Sequence, residues 1–420
     1  MTGRPETDKA RATERLPVVH DVLISGGGVA GLTLALGLRR TFGQQLRVAV
    51  IDPAFGSREA NVRTSALTAG SRNLLGAIGV WNSLSELAQP ILAMKITDSR
   101  RNDAVRPLFL AFDEPLDDGA PFAWMIQNRD LVEILESEAA SAGVEIVRAA
   151  VSRVTDQGRA IEIRLRDGQS LSAKLVIGAD GVQSRVRRSC GIETIGHDYR
   201  RTAIVATLSH EESHGGVAVQ HFLPPGPFAM LPLTGRRSSI VWTEYADQAR
   251  TFLSLPEDEF LAEVDRRFGP SLGRFSLEGA PASFPLRVYM ARRFTSRRIA
   301  LIGDAAHLVH PLAGQGLNLG LRDVAALTSA LAKQLRLGLD PGAEEVLASY
   351  ERARYFDTAA MIAGTDGLHW LFANDSAPLR FVRDLGLGLV NRMPRLKRSL
   401  VREAAGLSGD VPAMLRGYLP

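Results

Sequence analysis

The chain has 420 residues and a formal net charge of +4, from 50 Lys and Arg against 46 Asp and Glu. This small excess excludes a polycation that coats nucleic acid, and a hydrophobic fraction of 45% is ordinary for a globular protein with a sizeable core. Cys190 is the single cysteine of the chain, which excludes an intrachain disulfide and a cysteine-based zinc site. A protein without disulfides suits a reducing compartment, so we expect a cytoplasmic location.

The N-terminal segment has no feature of a targeting signal. Residues 1–17 are polar and mixed in charge, and they lack the apolar stretch of a secretory signal, so we expect a disordered arm there. No run of about 18 apolar residues occurs in the chain, and we therefore expect no transmembrane helix.

The next elements match a dinucleotide-binding unit. Val18–Ser25 is an apolar run typical of a buried parallel strand, and Gly26, Gly28 and Gly31 follow in the pattern G-x-G-x-x-G. The first glycine permits the tight turn, the second lets backbone N–H groups approach a pyrophosphate, and the third allows close helix–strand packing. A helix and a second strand come next, and the strand ends at Asp52. A carboxylate there would bind ribose hydroxyls and disfavours a 2′-phosphate, so FAD or NAD fits better than NADP.

Two later segments favour FAD over NAD. Leu171–Arg188 predicts a strand, a Gly-Ala-Asp-Gly turn and a basic helix start. Arg298–Asp323 predicts a strand that ends at Gly303-Asp304, a loop, and a helix that begins near Leu317. A simple NAD dehydrogenase needs neither segment. The longer FAD needs a carboxylate for its ribityl chain and a helix N-terminus at the pyrimidine edge of the flavin, where free N–H groups would stabilise negative charge.

In this order and spacing, the three motifs resemble the FAD-dependent aromatic hydroxylases of the p-hydroxybenzoate hydroxylase-like fold. The resemblance covers nearly the whole chain. It implies an α/β protein with a Rossmann-like FAD-binding domain, an inserted and mostly antiparallel β-sheet substrate domain, and a helical C-terminal tail. It also implies that Asp180 and Gly181 contact FAD and the reduced nicotinamide, and that Gly303 and Asp304 contact the ribityl chain. Asp52 departs mildly, because the family more often has Glu at that position.

Softer similarities indicate the ubiquinone-biosynthesis hydroxylases, which act on polyprenylated phenols. Arg63–Trp81 looks like the second helix of that subfamily, and Gln127–Leu131 resembles its FAD-contacting segment, in which Arg129 would be the contact. Gly226–Leu233 looks like its substrate-sheet element. Leu396–Gly417 resembles its C-terminal ending.

We expect the FAD-binding domain to be discontinuous, with the substrate domain inserted into it. The FAD-binding domain comprises residues 18–90, 125–190 and 295–335. The substrate domain comprises residues 91–124 and 191–294, and a helical C-terminal region comprises residues 336–420. Periodicity further predicts helices at Arg129–Gly143 and Pro256–Phe268, and strands at residues 144–150, 160–166, 171–178, 202–210, 217–223 and 239–245.

The resemblance implies a monooxygenase that consumes NADH or NADPH and O2. A flavin hydroperoxide would transfer its terminal oxygen to an electron-rich ring, while the protein positions the ring, excludes water and stabilises charge. No second complete G-x-G-x-x-G unit is present, so NAD(P)H is expected to bind without a Rossmann domain of its own. We expect neither a Ser-His-Asp triad nor a metal site, because the scattered histidines lack the spacing of metal ligands.

Several residues are candidates for contact with the flavin. The start of the late helix has a physical reason to face the pyrimidine edge, and its candidates are Gly314, Gln315, Gly316, Leu317 and Asn318.

Three further residues are candidates for catalysis, together with one neighbouring histidine. Arg63 could stabilise the reduced or oxygenated flavin, or it could be a loop arginine on the pyrophosphate. His307 and His310 could relay protons beside the flavin, or each could shape its loop through backbone hydrogen bonds. The resemblance places Pro311 close to the flavin ring.

Large apolar residues are candidates for the substrate pocket. These residues, which could equally be plain sheet core, are Trp124, Phe228, Met230 and Trp242.

The basic excess is confined to the C-terminal tail. Residues 376–420 carry +5, so the preceding residues carry −1. The tail alternates apolar and basic positions and could contact an anionic membrane surface, where a prenylated substrate is dissolved. It could also pack as a solvated basic helix on the FAD-binding domain.

The predicted function is hydroxylation of a lipid-soluble phenol in ubiquinone biosynthesis. The enzyme would be peripheral on the inner face of the cytoplasmic membrane, as a homo-oligomer or with other proteins of the quinone pathway, and without nucleic acid. The alternatives are a catabolic hydroxylase of a small soluble aromatic acid such as salicylate, a flavin-dependent polyprenyl reductase, and a non-catalytic FAD-binding interaction protein.

Overall fold

A computed structural model gives the fold of the chain. It describes residues 19–57, 62–98, 108–113, 116, 119–223, 225–311, 314–373, 402–403 and 405–420. The disordered arm expected over residues 1–17 lies outside the described residues. So does much of the basic tail, over residues 374–401 and 404.

The described chain alternates strands and helices in its first half and ends in long helices. The strands are β1 Val19–Ser25, β2 Val48–Ile51, β3 Thr64–Thr68, β4 Gln89–Ile91, β5 Ala93–Asp98, β6 Leu108–Phe112, β7 Ala123–Gln127, β8 Glu145–Val147, β9 Val151–Asp156, β10 Ile161–Leu165, β11 Ser170–Gly178, β12 Thr194–His210, β13 Val217–Leu223, β14 Gly226–Leu233, β15 Arg237–Tyr245, β16 Phe275–Leu277, β17 Ala282–Ala291, β18 Thr295–Ser296, β19 Ile299–Leu301 and β20 His307–Leu308. The α-helices are α1 Val29–Phe42, α2 Ala69–Ala77, α3 Trp81–Leu84, α4 Asn128–Ser141, α5 Arg185–Ser189, α6 Ala246–Leu253, α7 Glu257–Phe268, α8 Gln315–Leu335 and α9 Glu344–Ala373.

The first sheet is the parallel core of the protein. Its order is β18-β19-β11-β1-β2-β8, and the strands from β19 to β8 run parallel. Val22, Leu23 and Ile24 of β1 are fully buried, as expected for a central strand that helices cover. The chain leaves β1 for β2 on one side and later adds β11 on the other. The carboxyl ends of β1 and β11 therefore form a switch point, where parallel sheets bind ligands.

The second sheet is mostly antiparallel, as the sequence predicted. Its order is β20-β17-β12-β15-β14-β13-β5-β6, and only the pairing of β13 with β5 is parallel among the described strands. One face packs on the amphipathic helices α6 and α7. The other face meets the first part of the chain, where Thr64 Oγ1 donates to Ser239 Oγ at 2.9 Å. We call this second face the inner face.

The prediction that Arg63–Trp81 forms the second helix is partly wrong. Residues 64–68 form strand β3, which pairs with β7 in a small three-stranded sheet, because antiparallel pairing with residues 123–127 satisfies its backbone groups. Helix α2 begins only after Thr68, whose Oγ1 accepts a hydrogen bond from Ser71 N and caps the helix. Trp81 lies in the separate short helix α3.

Other predicted elements differ mainly at their ends. Strand β9 follows β8 as a separate strand, and β12 begins earlier than expected, at Thr194. The helix predicted from Pro256 has that proline as its N-cap residue and runs over Glu257–Phe268.

The C-terminal region combines one long helix with a segment that returns to the core. Helix α9 runs alongside α8, and residues 405–420 contain a single 3₁₀ turn, Ala413–Arg416. Met414 and Leu415 are buried within the core around α1. In the described part of the chain, no helix is long and apolar enough to cross a membrane.

Candidate active site

The glycine turn after β1 has two structural glycines and one open glycine. A Cβ at Gly26 would lie 2.2 Å from Ala179 O, and a Cβ at Gly31 would lie 1.9 Å from Gly26 O, so the protein's own backbone requires both glycines. A Cβ at Gly28 would meet no atom within 4 Å. The helix α1 begins directly after Gly28 and points its free N–H groups into this open space. The space fits an anionic pyrophosphate.

Asp52 braces the same turn from the end of β2. Its carboxylate accepts hydrogen bonds from Gly27 N and Ala54 N, both at 2.7 Å. A carboxylate oxygen can accept more than one hydrogen bond, so Asp52 keeps capacity for ribose hydroxyls. The shorter side chain thus reaches the turn that a dinucleotide would contact.

Asp180 follows β11 at the switch point and holds one unsatisfied oxygen. Its Oδ2 accepts from Arg185 N at 2.7 Å and Val186 N at 3.2 Å, which fixes the start of α5. Its Oδ1 is buried and has no hydrogen-bond partner among the described residues. A buried carboxylate oxygen without a donor is costly, so a hydroxyl or amide of a ligand would fit there. Gly181, with φ +74°, makes the turn beside it.

Asp304 and Arg63 form the charged centre of the site. Asp304 lies in the 3₁₀ turn Gly303–Ala305 after β19, and Tyr289 Oη donates to its main-chain oxygen. Burial raises the pKa of the Asp304 carboxyl, although His307 and Arg63 attract its charge. Burial also lowers the pKa of Arg63, and Asp304 offsets part of that effect. The Arg63 guanidinium stacks 3.8 Å from the ring centre of Phe284 on the inner face.

The start of α8 is fixed by Asn318. Its Nδ2 donates to Ala66 O at 2.8 Å and Gly314 O at 3.1 Å, and its Oδ1 accepts from Thr68 N and Ser71 Oγ. These bonds use the side chain of Asn318 within the protein. Gly314 adopts φ +65° at the N-cap. The first-turn residues of α8, Gln315, Gly316 and Leu317, therefore present their backbone N–H groups at a rigid helix start.

His307 is turned into the protein interior. Its Nε2 lies 2.7 Å from Asp323 Oδ2, which also accepts from Gly303 N at 2.9 Å. Arg354 Nε donates to the other oxygen of Asp323 at 2.7 Å. Burial alone would raise the pKa of Asp323, but His307 and Arg354 together lower it. This network favours the loop-shaping interpretation of His307.

His310 lies in a different environment. Its ring is fully buried, and neither ring nitrogen has a hydrogen-bond partner among the described residues. The ring centre lies 4.9 Å from that of Tyr199 and 4.6 Å from that of His369. Burial, and then His369, lowers the pKa of His310 to about 3, so the ring is neutral at neutral pH. Pro311 follows it and is exposed.

Three polar residues beside His310 were not found from the sequence. Tyr199 Oη donates to Asp366 Oδ1 at 2.7 Å, and burial together with Asp366 raises the pKa of Tyr199 well above its ordinary value. Burial, and then Arg201, lowers the pKa of His369 to about 4. The available signal was Asp366-x-x-His369 in an otherwise apolar helical stretch. Their meeting with His310 depends on how α9 packs.

The candidate pocket residues do not lie together. Phe228, Met230 and Trp242 lie in the cluster that α6 and α7 cover, and the Trp242 ring is 4.6 Å from that of Phe252. This packing favours the core interpretation for these three. Trp124 is half-buried in the small sheet, 5.5 Å from the Trp81 ring.

The inner face carries the neighbouring positions on the same strands. Leu231, Val241 and Phe284 have the opposite orientation to Met230 and Trp242, because successive strand residues alternate between faces. All three are only half-buried, so they keep apolar surface available to a ligand. Phe284 also touches Arg63.

Arg129 lies on the edge beside Arg63. It is in the first turn of α4, where Nε donates to Asp130 Oδ1 at 3.2 Å and the side chain is 57% exposed. The preceding Asn128 donates its N–H to Arg63 O at 3.0 Å. The exposed Arg129 guanidinium is thus available for contact with a ligand.

The arrangement fits FAD in several independent features. The open Gly28 turn suits a pyrophosphate, the orphan Asp180 Oδ1 suits a ligand donor, and the α8 start suits a negative group. In the described part of the chain, no group of three or more His, Cys, Asp or Glu could hold a metal ion.

Comparison with known proteins supports the same assignment. A sequence model of the family described as FAD binding domain matches residues 19–364. The ubiquinone hydroxylase UbiL of Rhodospirillum rubrum is 42% identical over 99% of this chain and 97% of its own length. The 3-demethoxyubiquinol 3-hydroxylase of Escherichia coli is 33% identical over 92% of this chain and 98% of its own.

A solved structure shows the same fold. The p-nitrophenol 4-monooxygenase PnpA of Pseudomonas putida superposes with a TM-score of 0.77 over 93% of this chain and 99% of its own, at 19% identity. Two relatives above 30% identity and the family match extend along most of the chain. The protein therefore belongs to the FAD-dependent hydroxylases, in the group that contains the ubiquinone-biosynthesis enzymes.

Proposed function

We propose that this protein is an FAD-dependent monooxygenase that uses NADH or NADPH and O2 to hydroxylate a polyprenylated phenol in ubiquinone biosynthesis. The observation that carries the proposal is the contact between Arg63, at the polar edge of the parallel sheet, and Phe284, on the apolar inner face. A flavin held at that edge would meet a hydrophobic ring held on that face. The names of the relatives, which join ubiquinone or ubiquinol with hydroxylase or monooxygenase, support the same substrate class.

The residues that would hold FAD follow the carboxyl ends of the parallel strands. The Gly28 turn and the α1 N-terminus would hold the pyrophosphate, Asp52 the ribose, and Gly303 with Asp304 the ribityl chain. The Gln315–Leu317 N–H groups would face the pyrimidine edge. Bound FAD would supply the redox chemistry, which is acceptance of a hydride from NAD(P)H and activation of O2 for insertion of one oxygen atom into the ring.

The protein's own groups would then stabilise charge and hold the phenol. The positive end of α8 and the Arg63 guanidinium both favour negative charge in the site. His310 is neutral, and its two ring nitrogens, which have no partner among the described residues, would supply one donor and one acceptor to a substrate hydroxyl. Tyr199, held by Asp366, fixes the His310 ring from one side. Leu231 and Val241 would exclude water around the ring.

The domain boundaries remain part of the proposal. We assign residues 18–90, 125–190 and 295–335 to the FAD-binding domain, residues 91–124 and 191–294 to the substrate domain, and residues 336–420 to the C-terminal region. The small sheet of β3, β7 and β4 supports a direct connection between the first two, because β4 and β7 each cross a boundary between them.

A peripheral membrane contact through the basic tail is also proposed. A lipophilic phenol is dissolved in the bilayer, and the +5 charge of residues 376–420 suits an anionic surface. Deleting the whole tail is a poor test, because Met414 and Leu415 belong to the core. The better variant replaces Arg395, Lys397 and Arg398 with Gln. Its binding to anionic vesicles should fall, and unchanged binding would contradict a role for these charges.

Two measurements test the enzymatic proposal. Purified protein should be yellow with a two-peaked flavin spectrum, and a prenylated phenol should speed up both NAD(P)H oxidation and O2 uptake. Oxidation of NAD(P)H without O2 uptake, coupled to saturation of a prenyl chain, would instead indicate a polyprenyl reductase. Stimulation by salicylate alone would indicate a catabolic hydroxylase.

The decisive experiment is lipid analysis of a deletion strain. An accumulated prenylated phenol would identify the substrate and the ring position that lacks its oxygen. Normal quinone content in that strain would reject the pathway.

A further inference from the structure

Helix α9 has its polar and apolar sides reversed between residues 353 and 370. The side chains that face the protein include four buried polar residues, which are Arg354, Thr358, Thr365 and His369. The residues classed as exposed on the outward side are all apolar or small, and they are Ala353, Phe356, Ala360, Ala363, Gly364, Gly367, Leu368 and Trp370. Asp357 also lies on this side with a side chain that is 38% exposed, and its charge is paired with Arg322 and Arg354. A surface helix of a globular protein normally has the opposite arrangement.

The outward residues form one continuous stripe. They recur at the three- and four-residue spacing of a single helix face. Phe356 is 81% exposed, Leu368 47% and Trp370 58%. A Cβ added at Gly364 or Gly367 would meet no atom within 4 Å, so no residue that the structure describes covers the stripe there. We call these eight residues the α9 stripe.

Two of the inward polar side chains contact other elements of the protein, so the reversal is built into the packing. Arg354 Nε donates to Asp323 Oδ1 of α8 at 2.7 Å. The His369 ring lies 4.5 Å from the Tyr199 ring beside the candidate site. The helix therefore cannot rotate its apolar side inward without breaking these contacts.

We infer that the α9 stripe is a membrane-contacting surface that lies in the interface of an anionic bilayer. Aromatic residues at the edge of an apolar helix face are typical of such helices. The charge that would complement anionic lipid follows directly, because residues 374–401 carry six Lys and Arg against two Asp. The inference deepens the proposed function, since docking here would bring the site of His310 and Tyr199 to the lipid that dissolves the substrate.

Vesicle binding of the full-length holoenzyme tests this inference. The variants are Phe356→Glu and Trp370→Glu, and the matched control is Leu337→Glu, which changes an apolar side chain that is 70% exposed outside the stripe. Each protein is mixed with phosphatidylcholine vesicles that contain roughly a third phosphatidylglycerol. We expect each stripe variant to lower the partition coefficient by at least about tenfold, because its ring no longer enters an apolar phase. The control should stay near wild type.

Two results would overturn the inference. One is an unchanged partition coefficient in both stripe variants. The other is a concentration-dependent dimer, seen by sedimentation without lipid, that the stripe variants abolish while vesicle binding persists, since the stripe would then bind a second copy.

Two further measurements distinguish loss of the apolar membrane contact from misfolding and from loss of electrostatic attraction. FAD content and thermal unfolding of Phe356→Glu and Leu337→Glu should match wild type, because these side chains are largely exposed. The Trp370 ring also lies 5.7 Å from the His369 ring, so Phe356→Glu is the decisive variant. Residual binding of the wild type at about 0.5 M salt should exceed that of the stripe variants, since salt screens charges but not apolar contacts. Binding is measured without NAD(P)H or phenol, so loss of the hydroxylase proposal would leave this result standing.

Discussion

Asp180 and His310 share one property at the level of single residues. Each buries a side-chain polar atom that has no hydrogen-bond partner in the described part of the protein. Such groups cost about 1–3 kcal/mol each when they lack a partner. They lie where a cofactor and a substrate would supply the missing hydrogen-bond partners. The ligand-free protein is therefore less stable than it would be if these groups were paired within the protein.

The glycine turn allows a matched pair of substitutions. Gly28→Ala should leave the stability of the apoprotein near wild type, because its Cβ enters open space, and should weaken FAD retention by occupying that space. Gly31→Ala should lower the free energy of unfolding of the apoprotein by about 1–3 kcal/mol, because its Cβ meets Gly26 O. Urea unfolding and flavin absorbance measure the two effects. Equal losses of stability would contradict the assignment.

Asp304→Asn should raise the free energy of unfolding of the apoprotein at pH 7. A carboxyl whose pKa is raised by folding stabilises the folded state least when it is ionised. Its contribution therefore falls as pH rises from the ordinary pKa of 3.8 through the folded pKa. Asparagine removes that dependence. The same change should weaken FAD retention, because a carboxylate binds hydroxyls more strongly than an amide does.

Urea unfolding of the apoprotein at several pH values, with flavin occupancy measured beside it, checks the Asp304 variant. Lower stability at neutral pH together with full flavin occupancy would contradict a role at the ribityl chain.

His310→Phe should reduce phenol hydroxylation by roughly a hundredfold, since the substrate hydroxyl would lose its donor and acceptor. The stability of the fold should not fall, because two unpaired buried nitrogens are removed. His307→Phe is the control, and it should destabilise the fold by breaking the bond to Asp323. Product analysis and thermal unfolding distinguish them. Full hydroxylation by His310→Phe would exclude contact with the phenol.

At the level of elements, Asp323 ties α8 to α9 and to the loop after β19. Its two oxygens serve Gly303, His307 and Arg354, which belong to different segments of the chain. The position of the loop after β19, which carries Asp304, thus depends on the position of α9. Because the pKa of Asp323 is lowered, this stabilisation exists above its ordinary pKa and is lost as pH falls through the folded value.

Asp323→Asn should lower the free energy of unfolding by about 3–5 kcal/mol, because Arg354 would lose its fully buried carboxylate partner. The control Asp357→Asn removes a more exposed partner of Arg354 and should cost about 1 kcal/mol or less. Chemical denaturation at neutral pH measures both. Equal small losses would show that Asp323 is not the centre of this network.

The sequence predicted the flavin motifs because each is local. A strand, a glycine turn and a helix occupy consecutive residues, so spacing alone placed Gly26, Asp52 and Asp304 at strand ends. Local sequence does not determine which face of the antiparallel sheet the helices cover. Alternation along β15 places Val241 and Trp242 on opposite faces, but only the packing of α6 and α7 decides which of the two lies under these helices. For the same reason, the contact of His369 with His310 could not be predicted.

At the level of the whole molecule, residues 413–416 pack into the core around α1, far in sequence from the helix they touch. Leu415 is almost fully buried within the core, and its main-chain oxygen accepts from Asn73 Nδ2 at 3.2 Å. Leu415→Ala should lower the free energy of unfolding by about 2–5 kcal/mol through loss of burial and a residual cavity. Leu419→Ala, at a site that is 38% exposed, should cost about 0.5 kcal/mol or less. Denaturant titration compares them, and equal costs would contradict a core role for the terminus.

The order of the parallel strands has a consequence for synthesis of the protein. Neighbouring strands β2, β1, β11 and β19 come from residues 48–51, 19–25, 170–178 and 299–301. Contacts so distant in sequence fold slowly, because the intervening chain must first be ordered. The glycine turn emerges early from the ribosome, but its neighbours at β11 and β19 and the core residue Leu415 emerge much later. We therefore expect β1 to lack its parallel neighbours β11 and β19 for much of synthesis, which exposes an apolar strand edge in the nascent chain.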